Sequence, residues 1–202
     1  MGVVTALTPT IPGRENLLAE AVRSVNAQTV PVHAHLIRCQ RPSGEAAPHL
    51  CSQFNALLPA VDTEWVAVLA DDDLWLPNYV EALEPAFESA DVVYSWDVGG
   101  MQPRIDCTDW SNAEIFDHLN HSNFIAATAA IRTSALRSIG GWPTNWEGAN
   151  YRDGGHFAGS PAHAEDWELW RRLAAAGARF RCVPVETWQG RPGDWPRMTT
   201  VL

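Results

Sequence analysis

Residues 65–69 read Trp-Val-Ala-Val-Leu and run straight into Ala70-Asp71-Asp72-Asp73. An unbroken apolar run of that length, with no polar alternation, is a strand buried on both faces, and such strands belong to sheets covered by helices on either side. The first hundred residues alternate strand and helix signals in the way that builds an α/β domain with a mainly parallel sheet. Strands are expected over 3–7 and 34–38, with a further one over 91–96. Helical faces are marked by Leu17, Leu18, Ala21, Val22 and Val25, by Phe54, Leu57, Leu58 and Val61, and by Tyr79, Val80, Leu83 and Phe87. Pro and Gly mark 8–13 as a loop. The second half is less regular: strands over 124–131 and 179–185, a short helix over 133–139 stopped by Gly140-Gly141, and a helix over 166–176 ended by Gly177. Between them, 142–163 is rich in Gly, Asn, Pro and His and reads as a long mobile loop that closes over a ligand.

The chain has 202 residues, enough to bury a core without disulfides or a structural metal. Its four cysteines, Cys39, Cys51, Cys107 and Cys182, lack any Cys-x-x-Cys spacing and read as reduced thiols. A net charge of −10 disfavours a nucleic-acid coating role. All the basic residues are Arg, so mechanisms that need a Schiff-base or P-loop lysine are excluded, and no Gly-x-Gly-x-x-Gly occurs. Apolar runs are too short to span a bilayer, and Met1-Gly2-Val3-Val4 carries no basic leader, so a cytoplasmic location is expected.

Two acidic groups carry chemistry. In open α/β sheets, ligands bind at the carboxyl ends of strands, where Asp71, Asp72 and Asp73 fall. Three adjacent carboxylates repel unless a cation joins them, and hard oxygens select magnesium or manganese completed by phosphate oxygens. An acidic turn capping the next helix is the plainer alternative. The second group is Glu165-Asp166. Asp166 shares a helix face with Leu169, Trp170 and Leu173, and an ionised carboxylate so placed is a candidate general base, with simple helix capping as the alternative.

Taken in order, the segments at 3–14, 24–29, Asn55, 65–77, 140–142 and 165–173 resemble the family 2 glycosyltransferases of the GT-A fold, over roughly residues 3–191. That resemblance implies one domain, with a nucleotide-sugar-binding half over 1–100 and an acceptor-binding half over 101–202. It implies a nucleotide-diphosphate sugar donor, a divalent metal (Mn or Mg) on an Asp-x-Asp motif, and inverting transfer to an acceptor hydroxyl. By the same resemblance Asp71, Asp72 and Asp73 match the metal and donor motif, Asp166 matches the base with Glu165 beside it, and Thr8, Pro9, Thr10 and Arg14 match the loop around the nucleotide. Asn55 is counted with the donor site.

Two positions depart from the family pattern. Ala70 stands where an acid is frequent, and Cys39-Gln40-Arg41 replaces an acid that reads uracil. Gln40 still donates and accepts toward a base, so a UDP-sugar stays the favoured donor although uridine specificity does not follow. Arg191, Arg171 and Arg172 are candidate diphosphate contacts, with a solvated helix face as the favoured reading of the latter two. His156 and His163 read as polar loop residues, with completion of a metal shell as the alternative. Trp75, Trp142, Trp146, Trp188 and Trp195 fall in predicted loops, where an aromatic face can stack on a sugar or base, although for each one packing into the core is the favoured reading. Other readings are a metal-dependent nucleotidyltransferase and a non-catalytic sugar-binding or assembly module of the same fold. The acceptor is open, a nucleic-acid base included, and a homo-oligomer could complete its site.

Overall fold

The computed structural model describes residues 2–39, 50–100, 102–144 and 165–191. Its strands are β1 (Val4–Thr10), β2 (Ala34–Cys39), β3 (Trp65–Val68), β4 (Leu74–Trp75), β5 (Val92–Asp97), β6 (Ala130–Arg132) and β7 (Phe180–Gln189). Its helices are α1 (Glu15–Asn26), α2 (Leu50–Leu57), α3 (Tyr79–Leu83), α4 (Asn112–Leu119), α5 (Thr133–Ser138) and α6 (Glu165–Ala175).

The strands form one sheet in the order β2-β1-β3-β6-β5-β7-β4. The β2-β1-β3 portion is parallel, as is the β5-β7 pair. β6 runs antiparallel to both β3 and β5, and β4 antiparallel to β7. The sheet is therefore mainly parallel, as the sequence suggested, with the short β6 and β4 running against their neighbours. An apolar run reports burial and not direction, so the reversal at the three-residue β6 leaves no mark in the pattern.

β3 is buried on both faces, as its composition demands. Trp65, Ala67 and Leu69 belong to one apolar cluster, with Tyr79, Leu83 and Phe87, while Val66 and Val68 belong to another, with Phe54, Trp167 and Trp170. Trp65 stacks on Phe87 at 3.9 Å between ring centroids, and the Arg132 guanidinium lies over the Trp65 ring at 4.8 Å.

β1 continues through 8–10, where Pro predicted a loop. Leu7 accepts from Leu69 on the β3 side, so the Pro9 nitrogen, two residues on, faces the same side. There the last β1–β3 partner is Val68, opposite Leu7, and the missing N–H breaks no ladder bond. β2 continues alongside to Cys39, opposite Thr10.

Two other predicted elements shift and one helix is new. The strand expected over 124–131 shrinks to β6, whereas that over 179–185 extends to Gln189. α4 was not anticipated, although Ser111 and Glu114 form a capping box at its start. Gly140, Gly141 and Gly177 take the positive φ angles (85°, 87° and 84°) that end helices. All four cysteines are free thiols, three of them buried. Among the described residues, no helix is long and apolar enough to cross a membrane.

Candidate active site

The ends of β1 and β3, the start of α6 and the residues just past β7 converge on one cavity of about 370 Å³. β1 delivers Thr10 and, at the N-cap of α1, Arg14; β3 delivers Asp71, Asp72 and Asp73; α6 delivers Glu165 and Asp166. Arg191 follows β7 into the same space. Two acidic groups separated by more than ninety residues thus share one cleft at the carboxyl end of the parallel strands.

Asp71 is the most enclosed of the three aspartates, at 3% exposure. Its Oδ2 accepts from the Thr10 hydroxyl at 2.6 Å, and its Oδ1 accepts from Arg14 Nη1 at 2.5 Å. The other arm of the guanidinium, Nη2, reaches Asp72 Oδ2 at 2.9 Å. Asp73 Oδ1 accepts the Arg191 main-chain N–H at 3.2 Å, while the Arg191 side chain pairs with Glu20 on α1. Burial, and next the charge of Asp72, push the Asp73 carboxyl up to about 7 against the opposing pull of Arg191.

Asp72 Oδ1 and Asp73 Oδ2 accept no hydrogen bond from a described residue. They are hard oxygens of the kind that Mg²⁺ and Mn²⁺ prefer, and one or two carboxylates plus phosphate oxygens make a normal shell for such an ion. The donor set fits a divalent metal in that form. Among the described residues, no three His, Cys, Asp or Glu side chains group to enclose an ion without such help.

At the start of α6, Asp166 Oδ2 accepts from Asn123 Nδ2 at 3.2 Å, and Oδ1 from the Trp167 N–H at 2.7 Å. Burial, and next the neighbouring Glu165 charge, raise its carboxyl well above the ordinary carboxylate range, despite those two donors. The wall between the acidic groups is apolar, with Phe54, Trp142 and Trp170 facing the space. Trp142 stacks on Phe54 at 4.9 Å and is held by Asn55.

Several sequence-derived positions lie elsewhere. Pro9 lines the cavity but Thr8 does not: it is fully buried, its hydroxyl bonded to His35 Nε2 at 2.8 Å. Asn55 also stays outside the lining and clamps the Trp142 main chain, accepting from its N–H and donating to its carbonyl, both at 2.8 Å. Arg171 and Arg172 pair with Glu168, as expected of a solvated face. Trp75 and Trp188, expected in loops, are strand residues at 2% and 4% exposure, and Trp75 stacks on Tyr79. Gln40, Arg41, His156, His163, Trp146, Trp195 and nearly all of 142–163 lie outside the described residues. Asn123 and Glu20 carry roles that no local pattern announced, because each acts through a partner more than forty residues away.

No protein-family model and no curated protein matches the chain. Solved structures do. S. aureus TarS 1-349 superposes with a TM-score of 0.64 over 94% of this chain at 15% identity. TarS 1-349 in complex with UDP-GlcNAc gives 0.63 over 96%, also at 15% identity. The mannosyltransferase PcManGT from Pyrobaculum calidifontis, in complex with GDP-Man and Mn²⁺, gives 0.59 over 90% at 14% identity. The chain has the GT-A fold. It spans only 60% of TarS 1-349 and 55% of the mannosyltransferase. On this fold, the acidic residues after β3 and those opening α6 line the same cavity.

Proposed function

We propose that this GT-A chain is a metal-dependent glycosyltransferase that moves a sugar from a nucleotide-diphosphate sugar to an acceptor hydroxyl with inversion, Asp166 acting as general base. The observation that carries the proposal is the one cavity lined by Arg14, the Asp71–Asp73 group and Asp166 together. The ligands of two matched structures, UDP-GlcNAc in TarS and GDP-Man with Mn²⁺ in the mannosyltransferase, support a nucleotide-sugar donor.

Displacing a diphosphate from an anomeric carbon needs charge neutralised on the leaving oxygens and a proton removed from the incoming hydroxyl on the opposite face. A divalent ion on Asp72 and Asp73 would neutralise the diphosphate as the carbon–oxygen bond to it breaks. Arg14 and Arg191 border the same space with fixed positive charge. The acceptor oxygen bonds to the anomeric carbon and its proton passes to Asp166. A carboxyl raised above the ordinary range holds that proton more readily than an exposed aspartate, which is what a base near neutral pH requires. The Asn123 amide and the Trp167 N–H fix the orientation of the carboxylate. In this reading the first half of the chain binds the donor and the second half the acceptor.

The test is a transfer and hydrolysis assay with a panel of UDP-, GDP- and TDP-sugars, with Mn²⁺, with Mg²⁺ and with EDTA. Turnover of at least one donor that EDTA abolishes is expected. Nucleotide binding that is equally tight in EDTA, and in a folded Asp72→Ala plus Asp73→Ala variant, refutes the metal-dependent reading.

A further inference from the structure

We propose that Arg14 is a built-in counter-cation of the acidic group, and that a divalent ion competes with this guanidinium for Asp72. The inference rests on the metal-dependent reading above. One rigid fork spans two carboxylates, Asp71 at 2.5 Å and Asp72 at 2.9 Å, which is how a guanidinium holds acids together that would otherwise repel. Asp71 has both oxygens engaged, by Thr10 and by Arg14, and is nearly excluded from solvent. It is therefore a positioning residue that anchors Arg14, together with Thr10 of β1, to the turn after β3. Asp72 and Asp73 are left to supply oxygens to an ion.

An ion that reaches Asp72 meets the positive charge already bound there. Like charges so close in a partly buried site disfavour one another strongly, so each cation weakens the other's hold. Arg14 has a second anchor in Asp71 and stays on the cavity wall when its Asp72 contact is lost. That frees one arm of the fork on the side where the diphosphate charge lies. Metal entry and the release of a phosphate-binding guanidinium become one event.

The competition is read by Mn²⁺ titration followed by electron paramagnetic resonance of the free ion. Wild type, Arg14→Ala and Arg14→Lys are compared, each with Mn²⁺ alone and with Mn²⁺ plus UDP or GDP. Arg14→Ala should bind Mn²⁺ alone more tightly than wild type, by about 10-fold or more. Arg14→Lys, which keeps the charge, should stay near wild type. A merely structural arginine predicts the opposite sign, because its loss would disorder the ligands and weaken binding. In the wild-type protein, the Arg14 Nε nuclear magnetic resonance signal should shift on titration with Mg²⁺. Equal or weaker Mn²⁺ binding by folded Arg14→Ala overturns the inference, as does an unmoved Nε signal at saturating Mg²⁺ should that variant not fold. Equal binding in both proteins leaves the metal-dependent function standing. Absence of Mn²⁺ binding in every protein, with or without nucleotide, overturns the inference and the metal-dependent function together.

Discussion

Replacing Asn55 by Ala separates a structural role from a ligand role at a position that the sequence assigned to the donor site. The side chain makes two hydrogen bonds of 2.8 Å to the Trp142 main chain, one as donor and one as acceptor. Trp142 is 4% exposed, so water does not readily replace either partner. Each lost bond is worth about 1 kcal/mol net, and each orphaned buried group adds to the cost, which gives about 2–4 kcal/mol in total. For a chain of this size that corresponds to a fall in Tm of roughly 5–15 °C. Urea denaturation and differential scanning calorimetry measure it. Asn55→Asp keeps the acceptor for the Trp142 N–H but turns a carboxylate oxygen toward its carbonyl, so it should be as damaging at pH 7 and less so in acid, where the carboxyl can donate. If Asn55→Ala melts within about 2 °C of wild type while nucleotide affinity falls more than about 10-fold, the residue binds ligand and the clamp is energetically idle.

Asp166→Asn should leave the fold and nucleotide binding intact and lower kcat for transfer by about 100-fold or more, with Glu165→Gln costing less; near-normal turnover in Asp166→Asn places the base elsewhere. Because the native Asp166 carboxyl is raised, the folded state holds its proton more tightly than the unfolded chain. Wild type should therefore lose stability as pH rises from the ordinary carboxylate range through the raised value, relative to Asp166→Asn, and parallel stability profiles for the two would contradict this. Gly140→Ala and Gly141→Ala both force a side chain onto positive φ, about 1 kcal/mol each. Only at Gly141 would the new Cβ lie 2.3 Å from Asn55 Oδ1, so Gly141→Ala should be clearly the worse in a denaturant titration, and equal losses would show that the contact relaxes freely. Arg132 bonds to Asp91, Glu64 and the Phe87 and Ala90 carbonyls beneath the Trp65 ring. Arg132→Lys should lose about 2–3 kcal/mol, since an ammonium cannot serve that planar fan of acceptors, and full retention of stability would show the fan to be dispensable.

What could be read in advance divides along a physical line. Burial, helix faces and helix ends are local properties of composition. The doubly covered β3, the inward face of α6 and the glycine stops at Gly140 and Gly177 were visible accordingly. Strand direction and partner choice are not local. Nothing in Ala130–Arg132 says that it slots antiparallel between β3 and β5, or that Leu74–Trp75 closes the far edge against β7. β7 was underestimated because Pro184 and Glu186 interrupt its apolar pattern, while the β5 ladder carries it past them with two shifts in register, between Ser95 and Trp96 and between Trp96 and Asp97.

The same line runs through the site. Sequence position placed three acids at a strand end and two at a helix start, because strand ends and helix starts are local. It could not rank the three acids, since the ranking depends on what reaches them from other elements. Thr10 and Arg14 arrive from β1 and saturate Asp71; the main chain after β7 reaches only Asp73; Asp72 keeps one oxygen clear. Three consecutive aspartates, chemically identical in the sequence, are thereby given three different environments by tertiary neighbours. The difference between a residue that positions an arginine and residues that can hold an ion comes from those neighbours, and a substitution series across Asp71, Asp72 and Asp73 should accordingly give unequal effects on stability and on metal affinity. Asp71→Asn should cost the most stability, since it leaves Arg14 short of one buried charge partner, and Asp73→Asn should cost metal affinity without comparable loss of stability. Uniform effects across the three would mean that the cluster acts as an undivided acidic patch and that the separation of roles by β1 is incorrect.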